Sequence, residues 1–469
     1  MSTPSQLNNI TATQKHVVPS SHRLDGFTRR HFLRTSAAAF AGVMIVPRHV
    51  IAGSGETPPS ERLNIAGIGV GGRGAANMRA LAAGNNIVAL CDVDTERAAE
   101  TNSKHPQAKQ YRDFRQMFDQ MDKGIDAVMV ATPDHCHAVA AMAAIRHGKH
   151  VYCEKPLAHS IHEVRQLMQA AREHKVVTQM GNQGHSFGSI RDFCEWIWAG
   201  AIGQVHTIHA GVPFSNSGLD NLARVREKTP VPASLDWDLW LGPAQQRDYS
   251  PAYAPAKWRG WFAFGNGSLG DWGCHVIDPV FWALDLGAPT AIQAEVKDWD
   301  PRKQGEVFPK GEIITYEFPA TAKRGPIKMK WFTGTEKIPR PPELESDEKD
   351  VGAGAAVYGD KGTIVYGGHG AARVRIIPEA KMDAFTRPAK TLPRIRDHYA
   401  DWLQAIRSGS QAGSSFAYGG ALTEIALLGT IALRLPGTRL SWDGAKARFT
   451  NSEQANRFLA PAYRTGWTL

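Results

Sequence analysis

Apolar and polar positions follow two different periods along the first part of the chain. LNIAGIGV, from residue 63, is an apolar run of strand length, and AANMRALAAG, from residue 75, has helical spacing. NIVALCDVD from 86, IDAVMVATP from 125 and KHVYCEKP from 149 are further strand-like runs, with the helical stretch AVAAMAAIRHG before the last. Continuous apolar strands that alternate with helices predict a doubly wound parallel sheet.

The pattern changes after residue 180, where short β-rich runs appear. GEIITYEF, GPIKMKWF and GTIVYGG are such runs, and in the second of them apolar and other residues alternate: Ile327, Met329 and Trp331 against Lys328, Lys330 and Phe332. The alternation predicts a mostly antiparallel sheet that is polar on much of one face. Helices predicted near 393–408 and 420–434 pack against this sheet or the first domain.

Composition narrows the class of protein. Of the 469 residues, 42% are hydrophobic and 21% are charged, which is typical of a globular protein, and the length predicts two domains. The net charge is +9, but residues 1–50 hold six Lys or Arg and one Asp. The other basic residues are scattered, so no nucleic-acid partner is expected. The five cysteines lack CxxC spacing, which argues against a disulfide framework and a metal site.

A segment near the N terminus has the layout of an export signal. TRRHFLR from Thr28 precedes an apolar core over 35–46 and a small-residue cleavage site at Val50-Ile51-Ala52. The order resembles a twin-arginine (Tat) signal, so residues 1–52 are predicted to direct folded export to the periplasm by the Tat machinery. The alternative is a basic, partly disordered terminus. No apolar run approaches the roughly 20 residues of a spanning helix, so no stable membrane insertion is expected.

A glycine-rich loop follows the first strand, with G-x-G-x-x-G order at Gly67, Gly69 and Gly72. Such glycines let backbone amides at a helix N terminus approach a pyrophosphate. Asp92 ends the next strand about 20 residues on, where an acid hydrogen-bonds the adenosine ribose. A carboxylate there favours NAD, although Arg73 and Arg97 leave NADP possible. The alternative is a glycine-rich turn in another α/β fold.

Lys155 is the first candidate for chemistry. It stands in CEKPLA at the end of a predicted strand, where ligands of such folds gather. Pro156 keeps the backbone of Lys155 extended, so the lysine could reach a hydroxyl beside a nicotinamide. A salt bridge to Glu154 is the alternative role.

Asp271 and His275 are the second candidate. They lie four residues apart in GDWGCHV and would share a helix face. Histidine suits proton transfer from a carbinol oxygen, and Asp271 could orient it or hold a substrate hydroxyl. An ordinary contact on a helix surface is the alternative. Pro279 predicts that His275 sits at an irregular helix start.

Aromatic residues concentrate in a proline-rich segment. Exposed aromatic faces suit the apolar face of a sugar ring, and the alternative is a satellite core under a long loop. Trp258 and Arg259 are predicted to line a substrate site. Six of the 13 tryptophans fall between residues 230 and 285, namely Trp237, Trp240, Trp258, Trp261, Trp272 and Trp282.

The order G-x-G-x-x-G, ATPDHCH, CEKPLA and D-x-x-x-H resembles the Gfo/Idh/MocA oxidoreductases (glucose-fructose oxidoreductase, inositol dehydrogenase, rhizopine catabolism). The resemblance implies that Lys155, Asp271 and His275 act around a sugar or polyol carbinol whose hydride passes to a nicotinamide. Gln183 and His185, in VTQMGNQGHS, are predicted substrate contacts where relatives often have an arginine. The implied cofactor contacts are Gly67, Gly69, Gly72, Arg73, Asp92, Thr132, Pro133, His137, Glu154 and Lys155.

The resemblance also implies an organisation. A Rossmann NAD(P)-binding domain is expected over 60–183, and a C-terminal α/β substrate-binding and oligomerisation domain with an open-faced, mostly antiparallel sheet over 184–469. Relatives use the open face for oligomer contacts, so a homo-dimer or homo-tetramer is expected.

The leading hypothesis is an exported oxidoreductase that moves hydride between a tightly bound NAD(P) and a carbinol of a sugar, sugar derivative or cyclitol. The alternative is an NAD-dependent glycosidase or lyase that oxidises, eliminates and returns the hydride. A non-catalytic sugar-binding or scaffolding role is the third. Folded export would let the cofactor be loaded beforehand, which predicts a nucleotide that does not exchange.

Overall fold

The computed structural model describes residues 61–469, which pack as one compact unit. The predicted signal segment, 1–52, lies outside the described residues. The first half holds a six-stranded parallel sheet in the order β3-β2-β1-β4-β5-β6. Its strands are β1 (Asn64–Ile68), β2 (Asn86–Cys91), β3 (Lys109–Tyr111), β4 (Ala127–Val130), β5 (His150–Glu154) and β6 (Thr178–Gly181). Its helices are α1 (Arg73–Leu81), α2 (Thr95–Lys104), α3 (Phe114–Met121), α4 (Asp134–Arg146) and α5 (Ile161–Glu173).

This strand order confirms the predicted doubly wound sheet and fixes where a ligand would bind. The order reverses between β1 and β4, and ligands of such sheets bind outside the carboxyl ends of the strands at the reversal. All four residues of β4 are buried, which explains why AVMV is apolar throughout. The glycine loop leaves β1 at this reversal, so the fold places it beside the residues that follow β4.

The second half holds a nine-stranded sheet in the order β13-β12-β11-β7-β10-β9-β8-β14-β15. Only the β7–β10 pairing is parallel, which confirms the prediction of a mostly antiparallel sheet. The strands are β7 (Val205–Val212), β8 (Ala291–Val296), β9 (Gly311–Phe318), β10 (Ile327–Gly334), β11 (Gly354–Gly359), β12 (Thr363–Gly367), β13 (Ala372–Ile377), β14 (Leu440–Asp443) and β15 (Arg448–Phe449).

The alternation in β10 is only partly as predicted. Ile327, Met329 and Trp331 are buried, and Lys328 on the other face is exposed. Phe332, expected on the polar face, is also buried because its ring packs edge-on against the His209 ring of β7, 5.5 Å away between centroids.

Helices of the second half connect the two sheets. The 18-residue α13 packs on α8, α5 and β8. It is the one helix in the described part of the chain that is long and apolar enough to cross a membrane, and 83% of it is buried inside the protein. An apolar helix of this length was not expected from the apolar runs of the sequence. The helices are α6 (Gly188–Trp198), α7 (Trp237–Leu241), α8 (Gly267–Val276), α9 (Asp278–Ala283), α10 (Pro301–Gln304), α11 (Glu379–Ala384), α12 (His398–Ser408), α13 (Phe416–Leu433) and α14 (Glu453–Asn456).

The prediction that His275 begins an irregular helix is wrong. His275 lies in the last turn of α8, and Pro279 lies in the first turn of α9. Proline is accepted there because the first amides of a helix have no intrahelical partner. Ile277 joins the helices: its amide donates to the Gly273 carbonyl at 2.8 Å. The break therefore falls after His275 and leaves the side chain on a regular turn.

Candidate active site

A cavity of about 900 Å³ opens at the carboxyl ends of the parallel strands. One wall is formed by the ends of β1, β2, β4 and β5 and the residues after them. The opposite wall comes from segment 232–259, α8 and the β12–β13 turn. Of the predicted site residues, those that line this main cavity are Gly69, Arg73, Asp92, Thr132, Pro133, His137, Glu154, Lys155, Gln183, Trp258, Arg259, Asp271 and His275.

The glycine loop is shaped to hold an anionic group. Gly69 has φ +76°, and a Cβ there would lie 2.7 Å from the Ala131 carbonyl carbon. Helix α1 begins with no side-chain cap and no acidic residue in its first turn, so its positive N-terminal end suits a phosphate. Gly67 and Gly72 do not line the cavity: a Cβ on Gly67 would meet Val70 at 2.7 Å, and Gly72 has φ +53°. They shape the loop rather than touch a ligand.

Asp92 stabilises this loop through hydrogen bonds to its main chain. Its Oδ2 accepts hydrogen bonds from the amides of Val70 (2.8 Å) and Gly71 (3.0 Å), and its Oδ1 accepts one from the amide of Asp94 (3.0 Å). Burial raises the pKa of Asp92, and these hydrogen bonds partly oppose the rise. The predicted ribose acid is thus placed at the cavity wall with its position fixed by the loop.

Glu154 collects three donors around one oxygen. Its Oε1 accepts from Asn77 Nδ2 (2.8 Å), Gln183 Nε2 (3.0 Å) and Arg73 Nε (3.2 Å). The acid therefore pairs with Arg73 and leaves Lys155 free for another partner, so the alternative role for the lysine does not apply. Gln183 is fixed further by a 2.7 Å hydrogen bond to the hydroxyl of Tyr152.

His137 joins the loop after β4 to the turn that carries the lysine. Its two ring nitrogens lie 2.9 Å from the Thr132 carbonyl oxygen and 2.8 Å from the Pro156 carbonyl oxygen. Thr132 and Pro133 lie at the cavity wall beside it. The histidine thus links these two segments, and both of its ring nitrogens already contact main-chain carbonyl oxygens.

Lys155 is held by Asp271. Its Nζ donates to the Asp271 carboxyl oxygen Oδ1 and to the Asp271 main-chain oxygen, both at 2.7 Å. Arg259 Nε lies 3.3 Å from the same Oδ1, and Asn216 Nδ2 donates to Oδ2 at 3.0 Å. Burial would raise the pKa of Asp271, but the charges of Lys155 and Arg259 outweigh it and hold the pKa well below its usual range. An ammonium group has three N–H donors, so one remains for a ligand.

His275 lies beside this ion pair without hydrogen-bonding to Asp271. Its Nδ1 is buried and has no hydrogen-bond partner among residues 61–469. The ring stacks on His369, with centroids 4.1 Å apart, and both rings meet Trp272 edge-on. Burial first, and then the positive charge of Lys155, hold the pKa of His275 well below its usual value. The imidazole is therefore neutral at neutral pH and can accept a proton.

The tryptophan-rich segment forms the satellite core considered for it and also reaches the main cavity. Trp237, Trp240, Trp258 and Trp261 are at most 8% exposed and form a satellite core with Tyr253 and Phe264. Trp240, Trp258 and Trp272 also line the main cavity. The Arg259 guanidinium lies 4.2 Å above the Trp258 ring, a cation–π contact that directs the arginine toward Asp271.

His185 is not at the cavity, unlike its predicted partner Gln183. The ring is 2% exposed, its Nδ1 lies 3.1 Å from Asp278 Oδ1, and it stacks on Trp282 at 4.6 Å. The polar contact with a buried carboxylate satisfies the histidine within the protein. Its placement gives it a packing role and no route to a substrate.

Sequence reasoning missed two residues that the fold brings to the site. His369 comes from the β12–β13 turn, and Asn216 comes from the loop after β7. The only signal for His369 is its place in GGHG, between glycines that let the turn approach α8. All five cysteines are free and buried. Within residues 61–469 no cluster of three His, Cys, Asp or Glu side chains could hold a metal ion.

The fold and the cavity define a Rossmann-type nucleotide-binding protein with a second half built on a mostly antiparallel sheet. Residues 63–182 match the NAD-binding Rossmann-fold domain of the Gfo/Idh/MocA oxidoreductase family, and residues 209–319 match the C-terminal alpha/beta domain of that family. The chain thus matches both domains of this oxidoreductase family, and the match confirms the predicted cofactor, NAD.

The sequence identity to individual relatives is low and covers only part of the chain. The chain is 26% identical over 215 residues to levoglucosan dehydrogenase of Pseudarthrobacter phenanthrenivorans, a match that covers 46% of each chain. It is 30% identical over 147 residues to inositol 2-dehydrogenase of Salmonella paratyphi B, covering 30% of this chain and 43% of that one. The matches thus span less than half the length of these relatives. Among solved structures, the WlbA dehydrogenase of Bordetella pertussis shares the fold with a TM-score of 0.57 at 16% identity, over 81% of this chain and 99% of that one.

The charge on Lys155 should set the ionisation of His275. In the variant Lys155→Met the His275 pKa is expected to rise, because the second of its two main depressing causes is removed while burial remains. Titration of the imidazole resonances by NMR measures this, with His275→Gln assigning the signal. Lys149→Met, whose lysine lies outside the cavity and contacts Asp122, is the matched control. An unchanged His275 pKa in Lys155→Met would contradict the electrostatic account.

Proposed function

We propose that the protein transfers hydride between NAD and a carbinol carbon of a sugar, sugar derivative or cyclitol. The observation that carries the proposal is the position of Lys155. Asp271 occupies two of its N–H donors, one donor stays free, and the unpartnered His275 lies beside it in the same cavity as the glycine loop. The similarity to levoglucosan and inositol dehydrogenases supports the substrate class.

The chain offers a complete set of residues for the cofactor. The amides at the start of α1 suit the pyrophosphate, Asp92 suits the adenosine ribose, and Thr132, Glu154 and Lys155 line the same cavity. A bound nicotinamide supplies the hydride acceptor or donor. Asp92 favours NAD over NADP, since a carboxylate repels a 2′-phosphate.

Two side chains manage the proton. Neutral His275 accepts the hydroxyl proton, while the free N–H of Lys155 hydrogen-bonds the oxygen and stabilises the negative charge that develops on it. Asp271 holds Lys155 in place, so it is a positioning residue for this step. In the reverse direction the same groups return the proton. The lowered pKa of His275 keeps it available as a base to pH values below its ordinary 6.5.

The other wall suits a sugar. The Trp258 and Trp272 rings line this wall, and Arg259 and His369 offer donors there. A pocket of aromatic surface with a few converging polar groups fits a polyhydroxylated ring.

The activity test compares variants of two lysines, one in the main cavity and one outside it. Protein purified without added cofactor is assayed for bound nucleotide and then offered free sugars, cyclitols and glycosides separately. Lys155→Met is expected to lower kcat by at least about a hundredfold while nucleotide stays bound, because one charge-stabilising donor is lost in the step itself. Lys149→Met, remote from the cavity, should retain activity. Reduction of NAD, or of an added acceptor, by a free sugar or cyclitol is the expected reaction.

Two outcomes would overturn this proposal. Activity retained in Lys155→Met would remove the lysine from the mechanism. Cleavage of a glycoside with no net change in the nicotinamide, without reaction of free sugars, would favour the alternative glycosidase or lyase.

We also propose that the protein is exported folded to the periplasm with its nucleotide already bound. The support is the order of the arginine pair, apolar core and small-residue site in the first 52 residues. NAD is made in the cytoplasm, so a protein using it outside must carry it. Such a protein must also regenerate its nucleotide in place, with a second sugar or with the same substrate.

Conservative changes at the arginine pair test the route. Arg29→Lys together with Arg30→Lys should leave precursor in the cytoplasm of a bacterial host, whereas Arg23→Lys together with Arg48→Lys alters two arginines outside the pair and should not. Cell fractionation and immunoblotting measure the distribution. Equal export of both double variants would contradict the twin-arginine route.

A further inference from the structure

A second cavity, of about 310 Å³, lies behind the main one. His135 separates the two: its ring lines the second cavity and packs 5.1 Å from the Trp240 ring, which lines the main cavity. The second cavity is enclosed by the start of α5, the end of α13, segment 243–247 and the residues after α14. None of the predicted site residues lines it, so it is not accounted for by the proposed oxidoreductase chemistry.

Arg434, at the end of α13, faces this cavity without an anionic partner. No atom of residues 61–469 hydrogen-bonds or ion-pairs with its guanidinium group. Its central carbon lies 4.1 Å from the Phe262 ring centre and 4.7 Å from the Phe458 ring centre. Burial lowers its pKa to about 10, so it is charged at neutral pH. Rings beside a guanidinium hold its plane but do not satisfy its five N–H donors.

Two further arginines line the same space. Arg247 Nε is buried and without a hydrogen-bond partner in the described part of the chain. The Nη1 atom of the same side chain lies 4.0 Å from Oε2 of Glu306. Arg457 is exposed and also lines the cavity. A buried donor left unpaired is unfavourable, and Arg247 Nε is such a donor. The partly exposed guanidinium of Arg434 lines the same cavity and also has donors to offer.

The single acid of the cavity does not supply that acceptor. Among the lining residues within 61–469, Glu163 is the only carboxylate. Its oxygens are taken by the Tyr463 hydroxyl (2.5 Å) and the His159 amide (3.1 Å). Burial raises the pKa of Glu163 to about 7, so it offers less than a full negative charge at neutral pH. The two histidines, His135 and His159, are kept neutral by burial, with pKa values of about 3 and about 4. The cavity carries a net positive charge.

We propose that this second cavity binds a small oxyanion, a carboxylate or a phosphate, through the guanidinium groups of Arg434 and Arg247. A planar guanidinium matches either oxyanion with paired hydrogen bonds. The volume suits a small molecule or a terminal group and is too small for a dinucleotide, which the main cavity suits. Lys155 lines the main cavity and not this one, so the bound anion takes no part in the hydride step.

Binding is measured on the whole protein by isothermal titration calorimetry. Inorganic phosphate and malonate are titrated separately, with NAD in excess so that the phosphate-binding loop of the main cavity is filled. One of the two is expected to give a saturable one-site isotherm, and which one does so identifies the ligand chemistry. Arg434→Met, which keeps a long apolar side chain between the rings, should weaken that binding by about tenfold or more. Arg448→Met, which removes an exposed arginine of β15, should leave it unchanged.

Thermal unfolding supplies the second measurement. Without anion, Arg434→Met should unfold at the same or a higher temperature, because an unpaired, partly buried charge has been removed. With the anion, the wild type should gain thermal stability and the variant should not. If Arg434→Met does not fold, Arg434→Lys, which keeps the charge and loses the paired donors, takes its place. Absence of saturable binding by either anion, or equal affinity in the wild type and the Arg434 variant, overturns the proposal.

Discussion

The rest of the site depends on the contact between Lys155 and Asp271. The lysine stands at the carboxyl end of β5 in the parallel sheet, and the acid stands on α8 in the second half. Their 2.7 Å contact is only 14% and 20% exposed at the two side chains, so it is weakly screened by water and salt. It brings a charged donor from one half of the molecule to a fixed point beside a histidine from the other half.

The surroundings of Asp271 and His275 give these two groups different protonation states. Asp271 remains ionised because two cations and Asn216 surround it, whereas His275 remains neutral because burial and the same lysine oppose its charge. A fixed ammonium group beside a neutral imidazole is the pair that reversible removal of a hydroxyl proton needs. The stacked His369 ring and the edge of Trp272 hold the imidazole without using its nitrogens.

The periodicity of the chain sufficed to predict both sheets, because fully buried parallel strands and half-buried antiparallel strands have different patterns of apolar and polar residues. Local motifs located Gly69, Asp92, Lys155, Asp271 and His275, since their spacing reflects backbone geometry near each residue. His369 and Asn216 were missed because only tertiary packing brings their loops to α8. His185 was misplaced for the same reason: its partner, Asp278, is remote in sequence. Domain boundaries, export and oligomeric state stay predictions.

The most direct test of the account is a double-mutant cycle on kcat/KM with Lys155→Met, Asp271→Asn and the two combined. If Asp271 acts by holding Lys155, the combined variant should be about as slow as Lys155→Met alone, because the acid has nothing left to position. If instead the two losses multiply in the combined variant, Asp271 acts on the substrate independently, and the ion pair is not the element on which the site depends.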